Sequence, residues 1–164
     1  MSLRQFITSR KLLRSLSLLK DTVTLKWKEF AELFGLQYDV FDNPRHLSLN
    51  KPVSVILIGA GHRGSIYADY ATMHPEEMKI VAVADTNNKR RNRIRKAHDL
   101  PEQYCYSNWE EVLNIPRFAD AVIIATPDQQ HTAPCLKALE LGYDILLEKP
   151  IAPTEAECRM IYEK

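Results

Sequence analysis

The sequence predicts an α/β fold: a doubly wound parallel sheet with strand order 3-2-1-4-5, preceded by an α-helical N-terminal extension. Three observations carry that expectation. Beyond residue 52, short continuous apolar runs such as Ala121-Val122-Ile123-Ile124-Ala125 alternate with longer stretches of helical period. Strands that do not alternate apolar with polar need cover on both faces, as in a parallel sheet flanked by helices. The first run, Val53-Ser54-Val55-Ile56-Leu57-Ile58, passes straight into Gly59-Ala60-Gly61-His62-Arg63-Gly64, a G-x-G-x-x-G turn. The next apolar run closes on an acid, Asp85, 21 residues beyond Gly64.

Element by element, strands are expected at 53–58, 79–84, near 104–106, 121–125 and 144–147. Helices are expected at about 63–74, 87–99, 109–114, 128–141 and 154–163. Asp128 reads as the N-cap of the fourth of these helices, and Gly142 as the residue just past its end. Thr154 and Glu157 form a T-x-x-E capping box for the last. Ahead of the sheet, Leu12, Leu13, Leu16 and Leu19 share one helical face, and Trp27, Phe30 and Phe34 another that Gly35 ends. Residues 36–51, with Asn43-Pro44 and Asn50, read as a linker.

Charge marks the same division. Residues 1–51 hold nine Lys/Arg against five Asp/Glu, a balance of +4, and residues 52–164 hold thirteen against sixteen, a balance of −3. The expected organisation is therefore a helical leader over 1–51 and one cofactor-binding domain over 52–164. A length of 164 residues suits one full domain. Net charge +1 with 26% charged residues offers no basic footprint for nucleic acid. No apolar run approaches the 18 or so residues of a membrane span. Three cysteines without a C-x-x-C pair read as reduced thiols in a reducing, cytoplasmic compartment. The first twenty residues carry Arg4, Arg10, Lys11, Arg14 and Lys20 and no acid, with serines among them. That keeps open a mitochondrial presequence, beside an ordinary docking helix.

The glycine turn points to a dinucleotide, in the Rossmann arrangement. Gly59 permits the tight turn, Gly61 lets the backbone approach a pyrophosphate, and Gly64 lets helix and strand pack. The whole turn, with Ala60, His62 and Arg63 between the glycines, is assigned to the cofactor, and the helix N-terminus offers it free N–H groups. Asp85 suits the hydroxyls of the adenosine ribose, which favours NAD. A 2′-phosphate about 4 Å away would meet about 4 kcal/mol of repulsion at an effective dielectric of about 20. Lys89, Arg90 and Arg91 follow and could swing back, so NADP stays open; the plainer reading is a solvated helix face.

Two further clusters fall at strand tips. Thr126-Pro127-Asp128-Gln129-Gln130-His131 follows the fourth strand, beside the topological switch point where open α/β sheets bind ligands. His131 and Cys135 lie one helical turn apart, but no further ligand completes a set, and no metal is expected. Glu148-Lys149-Pro150 ends the fifth strand. A lysine there can donate a hydrogen bond to a reacting hydroxyl or carbonyl, against the alternative of a surface lysine before a turn proline. A cis peptide before Pro150 would turn the chain sharply out of the sheet.

Taken together, GAGHRG, AVAD, ATPDQQH and LLEKPIA, in this order and spacing between Pro52 and Lys164, resemble the N-terminal domain of the Gfo/Idh/MocA oxidoreductases. The resemblance implies that Lys149 sits near the nicotinamide and the substrate hydroxyl, as the catalytic residue. It implies that Thr126, Pro127 and His131 border the cofactor pocket and that the Glu148 region contacts the nicotinamide ribose. Family members typically act on sugars, inositols and related polyols. Their chain continues into a second domain that binds substrate, whereas this sequence stops in the first helix after EKP, so a sugar or polyol partner is expected only with such a domain. The alternative is a truncated or regulatory dinucleotide-binding module without turnover. A Walker-type ATP loop is disfavoured because residue 64 is Gly where that loop needs Lys. The apolar Ile145-Leu146-Leu147 run is expected to leave a sheet edge open to self-association.

Overall fold

Val53–Ile58, almost unbroken in its β-branched and leucine character, forms the central strand β1 of a five-stranded sheet. The computed structural model describes residues 51–164; the two expected leader helices, the linker and the boundary at residue 52 rest on residues outside that range. After β1 come α1 (His62–Met73), β2 (Met78–Ala84), α2 (Asn88–Ala97), β3 (Cys105–Tyr106) and α3 (Trp109–Leu113). Then follow β4 (Ala121–Ile124), α4 (Thr132–Glu140), β5 (Asp144–Leu147) and α5 (Glu155–Glu163). Short 3₁₀ turns stand at Glu102–Tyr104 and Asp128–Gln130. All pairings are parallel, in the order β3-β2-β1-β4-β5. This is the doubly wound order expected from the alternation of runs.

The two-residue period of a strand sorts the core into two layers. Val55 and Leu57 of β1 pack with Tyr67, Ala68 and Ala71 of α1 and Ile94 of α2. Ile56 and Ile58 point the other way, onto Val112 and Leu113 of α3, Cys135 and Ala138 of α4 and Ile161 of α5. Both faces are thus dry, which is why the strands need no polar alternation. Full burial of each Val, Leu or Ile among them stabilises by about 1.5–3 kcal/mol.

The start of the fourth expected helix needs correction. Asp128 is not an N-cap; it opens a 3₁₀ turn, and the α-helix begins at Thr132 after His131. Pro134 is the reason. In a helix running from 128, Pro134 would be an interior residue lacking the N–H that the ladder requires, whereas from 132 it lies in the first turn, where no donor is needed. At the other end Gly142 takes φ +74, and its N–H donates to Leu139 O at 3.0 Å while Tyr143 N–H donates to Ala138 O at 3.1 Å. That pair of bonds is a Schellman stop. Thr154 caps α5 by accepting from Glu157 N–H, but the Glu157 carboxylate returns to the Thr154 hydroxyl at 2.6 Å. The capping box closes through that hydroxyl.

Candidate functional site

The carboxyl ends of β1, β2, β4 and β5 bring the motifs to one edge of the sheet. Gly59 leaves β1 at φ +90, a conformation that L side chains rarely adopt. A Cβ on it would stand 2.7 Å from the Ala125 carbonyl, so the turn crosses directly over the end of β4. A Cβ on Gly64 would lie 1.9 Å from Gly59 O, which seats α1 against the strand it follows. Gly61 differs: among the described residues a Cβ there would meet a single atom within 4 Å, Arg90 Nη1 at 3.8 Å. The space over Gly61 is open, and it lies at the N-terminus of α1, which has no acid in its first turn and no side-chain cap. Orphan N–H groups and the positive end of the helix dipole face that space. Such a cradle fits the pyrophosphate of a dinucleotide.

Asp85, 9% exposed at the tip of β2, is already engaged on both oxygens. Its Oδ2 accepts from Ala60 N–H at 2.7 Å and its Oδ1 from Asn87 N–H at 2.7 Å. Each oxygen keeps a second lone pair for a ribose hydroxyl. Although the basic face of α2 is largely exposed, some of its arginines fold back towards the turn. Arg91 donates to Asp85 O at 2.6 Å, and Arg93 to Ala60 O at 3.1 Å and to the Ser65 hydroxyl. Arg90 reaches the space over Gly61. Three guanidinium groups therefore surround the turn, while Lys89 stays exposed. Asn87, which caps α2 by accepting from Lys89 and Arg90 N–H, holds that helix against the site.

His131 is fully buried, at 0% exposure. Its Nδ1 lies 2.9 Å from Pro150 O and its Nε2 2.9 Å from Thr126 O, so one ring braces the loop after β4 to the loop after β5. A backbone carbonyl oxygen therefore stands 2.9 Å from each ring nitrogen, one from each loop. Burial pushes the thiol of Cys135 up to about 12, which keeps it protonated and inert. Thr126 donates from its hydroxyl to Gln130 O at 3.3 Å, and Pro127 stands just before the 3₁₀ turn.

Glu148 turns inward, at 7% exposure. Its Oε1 accepts from Arg63 Nε at 2.9 Å, from Arg63 Nη2 at 2.8 Å and from the Tyr67 hydroxyl. Its Oε2 accepts from Lys149 N–H at 3.1 Å. Burial alone would raise the pKa of this carboxyl, but the Tyr67, Arg63 and Lys149 hydrogen bonds outweigh it and hold the group below its ordinary range. Burial and the same contact raise Tyr67, which stays a protonated donor. Lys149 itself is exposed, and its peptide bond to Pro150 is cis. Sequence reasoning missed Tyr67 and Arg93. Tyr67 was within reach, since it lies one helical turn after Arg63 on the same face of α1; Arg93 carried no local signal.

A glycine turn at a helix N-terminus, an acid at the next strand tip and a polar rim on two further tips define a dinucleotide-binding domain. The chain belongs to the oxidoreductase family with an NAD-binding Rossmann fold, Gfo/Idh/MocA, whose model matches residues 53–164. Its cofactor is accordingly NAD. The chain is 34% identical over 100 residues to a trans-1,2-dihydrobenzene-1,2-diol dehydrogenase of Bos taurus, covering 58% of this chain and 29% of that protein. It is 30% identical over 114 residues to an inositol 2-dehydrogenase of Corynebacterium glutamicum, covering 69% of this chain and 33% of that protein. Among solved structures, a myo-inositol dehydrogenase from Lactobacillus casei in complex with NAD(H) and myo-inositol aligns with TM-score 0.60 and 28% identity, over 68% of this chain and 32% of that one. The chain spans about a third of the length of these relatives. No helix among the described residues is long and apolar enough to cross a membrane.

Proposed function

We propose that this chain forms the cofactor-binding part of an oxidoreductase that moves hydride between a sugar- or polyol-like carbinol and the nicotinamide. The bound dinucleotide supplies the hydride chemistry, and the residues of the chain supply grip, orientation and a proton. In this reading Gly59, Gly61 and Gly64 and the N–H groups at the start of α1 bind the pyrophosphate. Asp85 accepts from the hydroxyls of the adenosine ribose, Thr126 and Pro127 border the pocket, and the buried His131 braces their loop from behind. The Lys149 amine hydrogen-bonds the carbinol or carbonyl oxygen of the substrate and returns or takes its proton.

The observation that carries the proposal is the space over Gly61, on the same sheet edge as Lys149, where among the described residues a built Cβ meets only the exposed Arg90 guanidinium within 4 Å. The inositol and dihydrodiol dehydrogenases among the relatives support the carbinol class. Calorimetric titration with NADH and NADPH, followed by inositols and hexoses, tests it. NADH should bind more tightly than NADPH. Lys149→Met should keep NADH affinity within about threefold and abolish any effect of the polyol on the fluorescence of bound NADH. Failure of both dinucleotides to bind would overturn the proposal.

A further inference from the structure

We infer that Arg63 and Tyr67 are positioning residues for Lys149. Through the buried carboxylate of Glu148 they hold the backbone that carries the lysine amine. The inference rests on the location of Lys149 beside the nicotinamide proposed above. It moves Arg63 out of the phosphate-binding set to which its place in the glycine turn assigned it.

Arg63 lies in the motif but aims away from the space a phosphate would fill. Two of its nitrogens, Nε and Nη2, close on Glu148 Oε1 at 2.9 and 2.8 Å. The side-chain atom found near the Gly61 space is Arg90 Nη1, and no atom of Arg63 comes within 4 Å of a Cβ built there. One helical turn further along α1, the Tyr67 hydroxyl donates to the same Oε1. The other oxygen of Glu148 accepts from Lys149 N–H. A single carboxylate therefore joins two side chains of α1 to the peptide that carries the candidate catalytic amine, across sequence separations of 81 and 85 residues.

The location of this joint makes it consequential. Within the described residues β5 is an edge strand, paired only with β4, and its ladder ends where Glu148 N–H donates to Ile124 O at 3.0 Å. Lys149 follows immediately, beyond the last of those ladder bonds. The Glu148 carboxylate takes over where the ladder stops. Burying a carboxylate costs desolvation that an apolar residue would avoid, and here the four hydrogen bonds it accepts fix the position of the strand end. The same helix that opens on the phosphate cradle thus sets where Lys149 stands. The cofactor and the amine are referenced to one rigid element.

Two readouts on the full chain separate positioning from phosphate binding. The first is NADH affinity. The second is the rate, and its pH profile, at which a trace acetylating reagent modifies Lys149, read by mass spectrometry with and without saturating NADH. Exposed Lys79 serves as the internal reference. In the wild type NADH should shield Lys149 and leave Lys79 unchanged. Tyr67→Phe keeps the ring in the α1 core and loses only the hydroxyl. Together with Arg63→Met and Glu148→Gln, it should leave NADH affinity within about threefold. Each should shift the Lys149 rate or its NADH shielding by about threefold or more, with the double variant Tyr67→Phe/Glu148→Gln no worse than Glu148→Gln alone. Arg63→Lys, which keeps the charge and loses the fork, should fall between wild type and Arg63→Met. A tenfold loss of NADH affinity in Arg63→Met with an unchanged Lys149 profile would make Arg63 a phosphate ligand and overturn the inference. Variants that leave both readouts at wild-type values would overturn it as well. Absence of shielding in the wild type would instead refute the placement of Lys149, and this inference with it.

Discussion

The N–H of Ala60 donates to Asp85 Oδ2 at 2.7 Å, so the acid at the tip of β2 holds the glycine turn in addition to its proposed part in binding a ribose. Two consequences should separate on mutation. Asp85→Ala orphans the N–H groups of Ala60 and Asn87 and should cost about 1–3 kcal/mol in urea unfolding. It should also erase the preference for NADH over NADPH. Asp85→Asn, with one acceptor oxygen for two N–H groups, should lie between. Retention of the full preference in Asp85→Ala would remove Asp85 from cofactor choice.

The three glycines of one motif should fail in three different ways. Gly61→Val should abolish NADH binding with little loss of stability, because among the described residues a Cβ there meets only Arg90 Nη1, at an ordinary 3.8 Å. Gly64→Ala puts a methyl into the Gly59 carbonyl and should cost about 3 kcal/mol in unfolding free energy. Gly59→Ala adds a positive-φ penalty to its clash with Ala125 and should be at least as damaging. A Gly61→Val variant that binds NADH normally would mean that the open space does not receive the pyrophosphate.

Acid should act partly through Glu148. Its folded-state value lies below the ordinary carboxyl range, so its share of the stability is complete above the unfolded value of about 4.3. That share is lost as the pH falls through the lower folded value. Glu148→Gln should therefore be clearly less stable than wild type at about pH 7, and the gap should narrow below about pH 4. Urea midpoints at a series of pH values measure it. A gap independent of pH would show that the carboxylate charge contributes nothing.

Replacing His131 by Ala removes the brace between Thr126 O and Pro150 O and leaves a cavity at a fully buried position. The expected cost is about 2–4 kcal/mol, seen as a lower denaturation midpoint at an unchanged slope. A loss below about 0.5 kcal/mol would show that the two loops hold each other without the ring.

Deleting residues 1–50 should leave NADH affinity within about threefold, because every described strand and every motif of the site lies beyond them. Collapse of the fold on deletion would place those residues in the core.

The architecture was legible because it is written in local periods. Continuous apolar runs such as Ala121–Ile124 call for cover on both faces, and the G-x-G-x-x-G turn sets a sharp exit from β1 into a helix; neither depends on distant residues. The same holds for the Schellman stop at Gly142 and the cap at Thr154. The start of α4 was misread because Asp128 has the local look of a cap, although Pro134 carried the opposing signal. What the sequence alone determined, then, was which backbone goes where: strand order, the turn, and the edge that collects Asp85, Thr126 and Lys149. The tertiary structure decided what each polar side chain holds. Asp85 turns to Ala60, Arg93 to the same turn, His131 to Pro150, and Glu148 to Arg63 and Tyr67. A buried donor or acceptor must find its partner among whatever packing brings within about 3 Å. In a doubly wound sheet, the partners of Asp85, Arg93 and Glu148 come from other strands and helices, tens of residues away.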